Sequence, residues 1–275
     1  MRGVLTLPLA SEENILHLPL TQIVDSCAIG QTSPSTVREV FLKQALKAHV
    51  ATNCIAEFLP NNSATPSEKD TRPFLGVPIS IKDTCNYEGT DSTLGYSCNV
   101  NKPASSHSVI AQMLLDAGAT LHVKTTVPTG LLALETDSDL FGYCSNPYNP
   151  GFTSGASTGG GAALLAYGGS KIEIGSDFGG SVRIPAHFNG LYSIKASYGR
   201  FPETGMTSFC PGLQGIPLVT SPLAQSLEDL SEFCQRFVDL KPWVQCHTVS
   251  LVPICTRPDC LPIYTSVRSC SLAPR

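Results

Sequence analysis

The sequence has little charge and no concentration of charge of one sign. Only 15% of its 275 residues are Asp, Glu, Lys or Arg, and the formal net charge is −4. There is no basic cluster, which argues against nucleic acid and anionic membranes as partners. No apolar run reaches the roughly 18 residues that span a bilayer. Residues 1–14 are too short and too interrupted by proline for a signal peptide, so we predict a cytoplasmic protein.

Several ligand-binding motifs are missing as well. The sequence has no CxxC pair, which removes support for a zinc site or a thioredoxin-like motif. Eleven cysteines at irregular spacing instead predict reduced, mostly buried thiols. The P-loop pattern GxxxxGK[ST] and the dinucleotide pattern GxGxxG are absent, which disfavours nucleotide binding. The SxxK pattern of β-lactamases does not occur either.

Strand-like and helix-like segments alternate, which predicts an α/β fold. Apolar periodicity predicts helices at 34–49 and 226–238, capped by Ser35 and Ser226 respectively. Apolar runs at 74–83 and 171–175 predict strands. Other predicted features are a loop at 61–73, a helix at 106–117, a strand at 119–125, and a turn-rich loop at 146–161 leading into a small-residue helix.

The chain divides into three parts by composition. We predict a lead segment at 1–14, a folded domain at 15–240 and an irregular tail at 241–275. The tail has no sustained hydrophobic period and is rich in proline and cysteine, which is typical of loop or disorder.

One lysine and two glycine-rich stretches are candidates for chemistry. Lys82 ends the apolar run GVPISIK, and burial there would lower its pKa and let it act as a base. A lysine at a strand end is, however, more often a solvated charge. The stretches SGASTGGG (154–161) and GSDFGGSVRIP (175–185) offer hydroxyl groups and backbone N–H groups that suit an oxyanion. Taken singly, each such stretch is more often a tight turn between packed elements, and a Ser–His pair with His187 stays open.

Together these segments resemble the amidase signature family. That family has its lysine in P-[IV]-S-x-K-D, followed by a GGSSGG loop and by GTDxGGSxRxP. The corresponding stretches here are PISIKD (78–83), SGASTGGG and GSDFGGSVRIP. The match covers about residues 15–240 and looks nearest to fungal acetamidase-like and fatty acid amide hydrolase-like members. It implies an α/β fold with a central mixed β-sheet flanked by helices.

The resemblance implies a catalytic triad. Ser181 matches the acylated nucleophile, Ser157 the bridging serine on a cis peptide bond, and Lys82 the neutral base. Asp177 and Arg183 match a supporting ion pair. The implied reaction is hydrolysis of a linear carboxamide to a carboxylic acid and ammonia or an amine, without metal or organic cofactor. The implied substrate-binding residues are Leu131, Ser157, Phe178, Gly179, Gly180 and Ser181, the last four through backbone N–H groups that hold the oxyanion.

The sequence also departs from the family. Ala156 stands where the family has glycine, so we expect strain in that loop. Gly161 stands where relatives often have glutamate. Family members are usually much longer, and the match stops near residue 240. We therefore expect an incomplete C-terminal half, with low solubility or dependence on a partner. The expected binding partner is a small-molecule amide substrate. Association with a second copy of the chain stays open. The alternative to an active amidase is a catalytically weak or inactive remnant.

Overall fold

A six-stranded mixed sheet forms the centre of the computed structural model, which describes residues 12–63, 70–213 and 215–250. The predicted α/β class and mixed central sheet are confirmed. The strands are β1 (Ile55–Phe58), β2 (Pro78–Lys82), β3 (Thr120–Thr125), β4 (Ser145–Asn146), β5 (Asn149–Thr153), β6 (Ile172–Asp177), β7 (Tyr192–Ser193) and β8 (Val219–Ala224). The sheet order is β1-β3-β2-β6-β8-β7. Strands β3, β2 and β6 are parallel, whereas β1 and β8 run antiparallel to their neighbours.

Helices cover both faces of this sheet. Helix α3 begins at Pro34 and is capped by Ser33, whose hydroxyl accepts the Thr36 N–H at 3.0 Å; the predicted cap Ser35 lies inside the helix. Ser226 caps α7 as predicted, accepting the Asp229 N–H at 3.0 Å. The helices are α1 (Glu12–His17), α2 (Leu20–Ala28), α3 (Pro34–Thr52), α4 (Val109–Asp116), α5 (Gly159–Ala166), α6 (Arg183–Phe188), α7 (Leu227–Asp239) and α8 (Pro242–Gln245).

The two faces of the sheet differ in chemistry because side chains alternate along each strand. Ile79 and Ile81 of β2 and Ile172 and Ile174 of β6 join the main core with α2, α4 and α7. The intervening residues of both strands are also fully buried, and several are polar. Helix α5 covers this second face with three glycines and small apolar side chains. The sheet therefore has one mainly apolar face and one buried face that carries more polar groups.

The segment 146–161, predicted as a loop, contains a short hairpin. Strands β4 and β5 pair antiparallel, and Asn146 Oδ1 accepts the Tyr148 N–H at 3.0 Å in the turn. Asn149 Oδ1 likewise accepts the Gly151 N–H at 2.9 Å. Most of this hairpin is exposed and shows no alternation of apolar and polar residues, so the sequence carried no strand signal.

Ordered structure continues past residue 240, where the sequence predicted an irregular tail. Helix α8 follows, Cys246 and Val249 are buried, and Ser250 N–H donates to Gly199 O at 2.8 Å. The remainder of the predicted tail and most of the predicted lead segment lie outside the described residues. Within the described ranges all eight cysteines are free thiols, of which Cys27, Cys54, Cys85, Cys144 and Cys246 are buried. None of the helices in those ranges has the length and apolar character to cross a bilayer.

Candidate active site

Lys82 is the last residue of β2, and its side chain is fully buried. The strand lies between β3 and β6, so both of its edges are covered. Lys82 Nζ is 2.7 Å from Ser157 Oγ, 3.1 Å from Ser176 Oγ and 3.3 Å from Ser176 O. This burial excludes the alternative that Lys82 is a solvated charge at the end of a strand.

The surroundings of Lys82 favour an uncharged amine. Burial lowers the pKa of Lys82 to about 7, and the nearby carboxylates of Glu173 and Asp177 oppose that effect. A neutral amine has two N–H donors and one lone pair. If the two Ser176 oxygens accept the N–H donors, the lone pair faces Ser157 Oγ. Lys82 is thus arranged to accept a proton from the Ser157 hydroxyl.

Ser157 lies in the turn that precedes α5. Gly155 supplies a positive φ of 78°, Thr136 Oγ1 donates to Gly155 O at 2.8 Å, and the Ala156–Ser157 peptide bond is cis. Ala156 itself lies outside the positive-φ region. The strain expected from a Cβ at this position is therefore not seen, because Gly155 adopts the conformation that requires glycine.

Ser181 lies in a loop after β6 that Asp177 organises. The Asp177 carboxylate accepts the N–H groups of Gly180 at 2.8 Å and Val182 at 3.2 Å. It also pairs with the Arg183 guanidinium through two bonds of 3.0 Å, as the sequence predicted. Burial alone would raise the pKa of Asp177, but these bonds hold it below its ordinary value. Asp177 is therefore an anion that fixes the loop.

The two serine loops are joined and open on one cavity. Thr158 N–H donates to Ser181 O at 3.1 Å. Ser157 and Ser181 both line a cavity of about 260 Å³. The structure thus brings the three predicted catalytic residues together. Lys82 is hydrogen-bonded to Ser157, and Ser157 and Ser181 line the same cavity. The other lining residues are Leu131, Leu132, Ala133, Leu134, Ala156, Phe178, Gly179, Ile184, Phe209 and Leu218.

Gly180 was predicted to offer its N–H group to the oxyanion, and the structure uses that group elsewhere. Its N–H is donated to Asp177, and it does not line the cavity. Its φ is 132°, and a Cβ there would lie 2.7 Å from Ile184 Cδ1, so glycine is needed for the turn itself. Among the described residues, the N–H groups of Phe178, Gly179 and Ser181 have no acceptor. The candidate oxyanion donors are therefore these three.

His187 is not paired with Ser181. It lies on α6 with an exposed side chain, and its nearest ring contact is Phe188, with the centroids 6.2 Å apart. No hydrogen bond joins His187 to Ser181 in the part of the chain that the structure describes. The geometry therefore gives the Ser–His alternative no support.

Asp83, next to the candidate base, belongs to a separate buried ion pair. Its carboxylate lies 3.3 Å from Lys124 Nζ and accepts the Thr93 N–H at 3.0 Å. Burial raises the pKa of Asp83, and Lys124 and Thr93 oppose this rise. The pair holds the loop that follows β2, because Lys124 also donates to Asp91 O and Ser92 Oγ.

Replacing Lys124 with methionine is expected to destabilise the protein by about 3 kcal/mol, because the mutation leaves Asp83 buried without its counter-ion. Urea unfolding followed by circular dichroism measures this loss. The matched control is Lys43→Met, which removes the exposed Lys43–Glu12 pair and should leave the unfolding midpoint unchanged. Equal midpoints for wild type and Lys124→Met would contradict the proposed role of the buried pair.

Sequence reasoning did not single out Ser176 or Glu173. Both lie on β6, and Ser176 contacts Lys82 through its hydroxyl and carbonyl oxygens. The contact depends on β2 and β6 being neighbours, which nothing in either segment specifies. The alternation in IEIGSD did carry one signal, since it places Glu173 and Asp177 on the same side of a strand.

Several known proteins are similar to this chain over most of its length. The family model described as Amidase matches residues 36–255. A probable amidase of Saccharomyces cerevisiae is 36% identical over 246 residues, covering 86% of this chain and 45% of the relative. An acetamidase of Aspergillus oryzae is 36% identical over 243 residues, covering 85% and 45%. A solved fatty acid amide hydrolase superposes with a TM-score of 0.84 at 30% identity, covering 91% of this chain and 46% of that one. The chain spans about half the length of the curated relatives it matches.

Proposed function

The chain belongs to the amidase family, and from that premise we propose that it hydrolyses a linear carboxamide through Lys82, Ser157 and Ser181. One observation carries the proposal. A fully buried amine lies 2.7 Å from a buried serine, and that serine shares a cavity with a second serine held in a glycine turn. A serine hydroxyl becomes a useful nucleophile only when a nearby base takes its proton.

The proposed reaction proceeds in two halves. Neutral Lys82 takes the Ser157 proton while Ser157 takes the Ser181 proton, and Ser181 Oγ forms a bond to the amide carbon. The carbonyl oxygen becomes an oxyanion, which the N–H groups of Phe178, Gly179 and Ser181 stabilise. The C–N bond then breaks, and the proton returns through Ser157 to the departing ammonia or amine. Water attacks the acyl-enzyme by the same route and releases the carboxylic acid.

The cavity lining supports an apolar acyl group. Leu131, Leu134, Phe178, Ile184 and Phe209 surround the two serines, and none of the described residues that line the cavity is Lys, Arg, Asp or Glu. Burial of apolar surface favours binding by about 25 cal/mol per Å², so uncharged acyl groups should bind better than charged ones. A panel of aliphatic carboxamides, with release of the carboxylic acid as the readout, tests the proposal. Folded protein that hydrolyses none of them would favour the inactive remnant.

The rate of acylation should rise with pH and reach half of its maximum near pH 7. The pKa of Lys82 is lowered to about 7, and only the neutral amine can accept the Ser157 proton. Below that pH the amine is an ammonium and the relay stops, whereas above it the rate should level off. Labelling rates with a fluorophosphonate between pH 5 and 9 measure this dependence. A rate that is flat across that range, or that falls as pH rises, would contradict the role of Lys82.

A further inference from the structure

Glu173 is a buried acid close to the proposed triad that the mechanism does not use. It is fully buried on β6, and its Oε1 accepts the Thr125 hydroxyl at 2.6 Å. Its Oε2 has no hydrogen-bond partner among the described residues. A buried carboxyl group with an unsatisfied oxygen is costly, so its presence calls for a physical reason.

The sheet register places Glu173 on the same face as Lys82. Ser80 lies opposite Glu173 in the parallel pair of β2 and β6, and Lys82 is two residues further along β2. On the other side of β2, Thr125 lies opposite Lys82. Because alternate residues of a strand share a face, the Glu173 carboxyl group lies among Ser80, Lys82 and Thr125.

Helix α5 leaves space for that carboxyl group at one position. A Cβ built on Gly161 would lie 2.3 Å from Glu173 Cδ and 2.4 Å from Oε1. Glycine is a poor helix former, and the φ of Gly161 is not positive. Glycine is therefore required at position 161 because the Glu173 carboxyl group occupies the space of a side chain, and not because of the backbone conformation.

We propose that Glu173 is a positioning residue for Lys82, its buried carboxylate stabilising the ammonium that Lys82 becomes when it takes the Ser157 proton. The proposal rests on the proposed function for its role in turnover, but the interaction itself does not depend on turnover. A charge interaction of this kind is strong because both groups lie away from water. Burial raises the pKa of Glu173 to about 7 against the opposing effect of Ser80, Thr125 and Lys82, so both members of the pair titrate in the neutral range.

The other charges near Lys82 have ion-pair partners of their own. On β6, Asp177 is paired with Arg183. From β3 and the loop after β2, Lys124 and Asp83 pair with each other. The α5 side presents Ser157 and glycines, which carry no charge. In the described part of the chain, Glu173 is therefore the acid near Lys82 that lacks a counter-ion of its own.

Replacing Glu173 with glutamine tests the proposal at nearly constant volume. The readout is the titration of Lys82 by NMR in protein labelled with 13C at the lysine ε-carbon, the signal being assigned with Lys82→Met. Loss of the carboxylate should lower the midpoint of Lys82 by at least about 0.5 pH unit, since a nearby opposite charge favours the ammonium. Thr125→Val, which removes the hydrogen bond to Oε1 and makes the carboxylate less stable, should lower it by a smaller amount.

Two further variants sharpen the experiment. Glu203→Gln is the matched control, because Glu203 is a half-buried acid whose pKa is also raised to about 7, but it binds Thr220 at the edge of β8. It should leave the Lys82 midpoint unchanged. The double variant Gly161→Glu with Glu173→Gly returns a carboxyl group to the same volume from the helix side and should restore the wild-type midpoint.

An unchanged Lys82 midpoint in Glu173→Gln would overturn the inference, as would an equal shift in Glu203→Gln. These outcomes are separate from failure of the proposed function, because the titration needs no substrate. If the protein hydrolyses no amide but the Lys82 midpoint shifts as expected, the proposed function is refuted and the Glu173–Lys82 interaction is still supported. In an active protein, the pH profile of kcat/KM for Glu173→Gln should move to lower pH by the same amount as the NMR midpoint.

Discussion

Replacing Ser181 with alanine should abolish fluorophosphonate labelling and reduce amide hydrolysis by about 10⁴-fold or more, the loss typical of removing a nucleophile. Without the hydroxyl no acyl-enzyme forms, although the variant keeps all three backbone N–H groups proposed to stabilise the oxyanion. Ser181 makes no side-chain hydrogen bond in the described part of the chain, so the variant should fold normally. Gel fluorescence with a fluorophosphonate probe and release of carboxylic acid measure the two effects.

Ser193→Ala is the matched control for the nucleophile. Ser193 is a partly buried serine on β7, at the far edge of the sheet. This variant should label at the wild-type rate. Full labelling of Ser181→Ala would show that another residue is the nucleophile. No labelling of the folded wild type would favour the inactive remnant.

Replacing Lys82 with methionine should lower amide hydrolysis by about 10²- to 10⁴-fold, the usual contribution of a general base. Methionine fills similar volume but cannot accept the Ser157 proton across the present 2.7 Å contact. Turnover measurements with Lys82→Met and His187→Ala distinguish the two bases considered for Ser181. An active Lys82→Met together with an inactive His187→Ala would support the Ser–His pair.

The stability of Lys82→Met separates lost chemistry from lost folding. The pKa of Lys82 is about 7 in the folded protein and near its ordinary value of 10.5 when unfolded. The unfolded chain therefore binds more protons between these values, and wild-type stability rises with pH across that window. Below about pH 7 the buried Lys82 is protonated in the folded protein, and the cost of burying its charge lowers the free energy of unfolding by the full amount. At pH 6 the variant should thus be at least as stable as wild type by thermal unfolding.

Much of the candidate site could be anticipated from sequence, because local patterns specify it. The apolar run ending in Lys82 is a buried strand, and the glycines around Ser157 and Ser181 form turns, as their residue types require. What could not be anticipated depends on neighbours in space. The Gly180 N–H bonds to Asp177 and not to a ligand, and Ser176 contacts Lys82 only because β2 and β6 are adjacent.

Strand β8 shows why part of the sheet carried no signal. Its sequence VTSPLA contains Pro222, and proline usually argues against a strand. Thr220 N–H points away from β6 to Glu203 Oε1, at 2.5 Å. Pro222 is two residues further on, so its nitrogen also points away from β6. The lack of an N–H at Pro222 therefore removes no hydrogen bond to β6. Proline is accepted here because β7 pairs with β8 only at Leu223 and Ala224.

The most direct measurement of the central claim is the site of the covalent adduct. Wild-type protein treated with a fluorophosphonate, digested and mapped by tandem mass spectrometry should carry one adduct, on Ser181. The labelled fraction should increase from pH 6 to pH 8, as deprotonation of Lys82 requires. An adduct on Ser157 or on any other serine, or folded protein that stays unmodified across that range, would contradict the assignment of Ser181 as the nucleophile activated by Lys82 through Ser157.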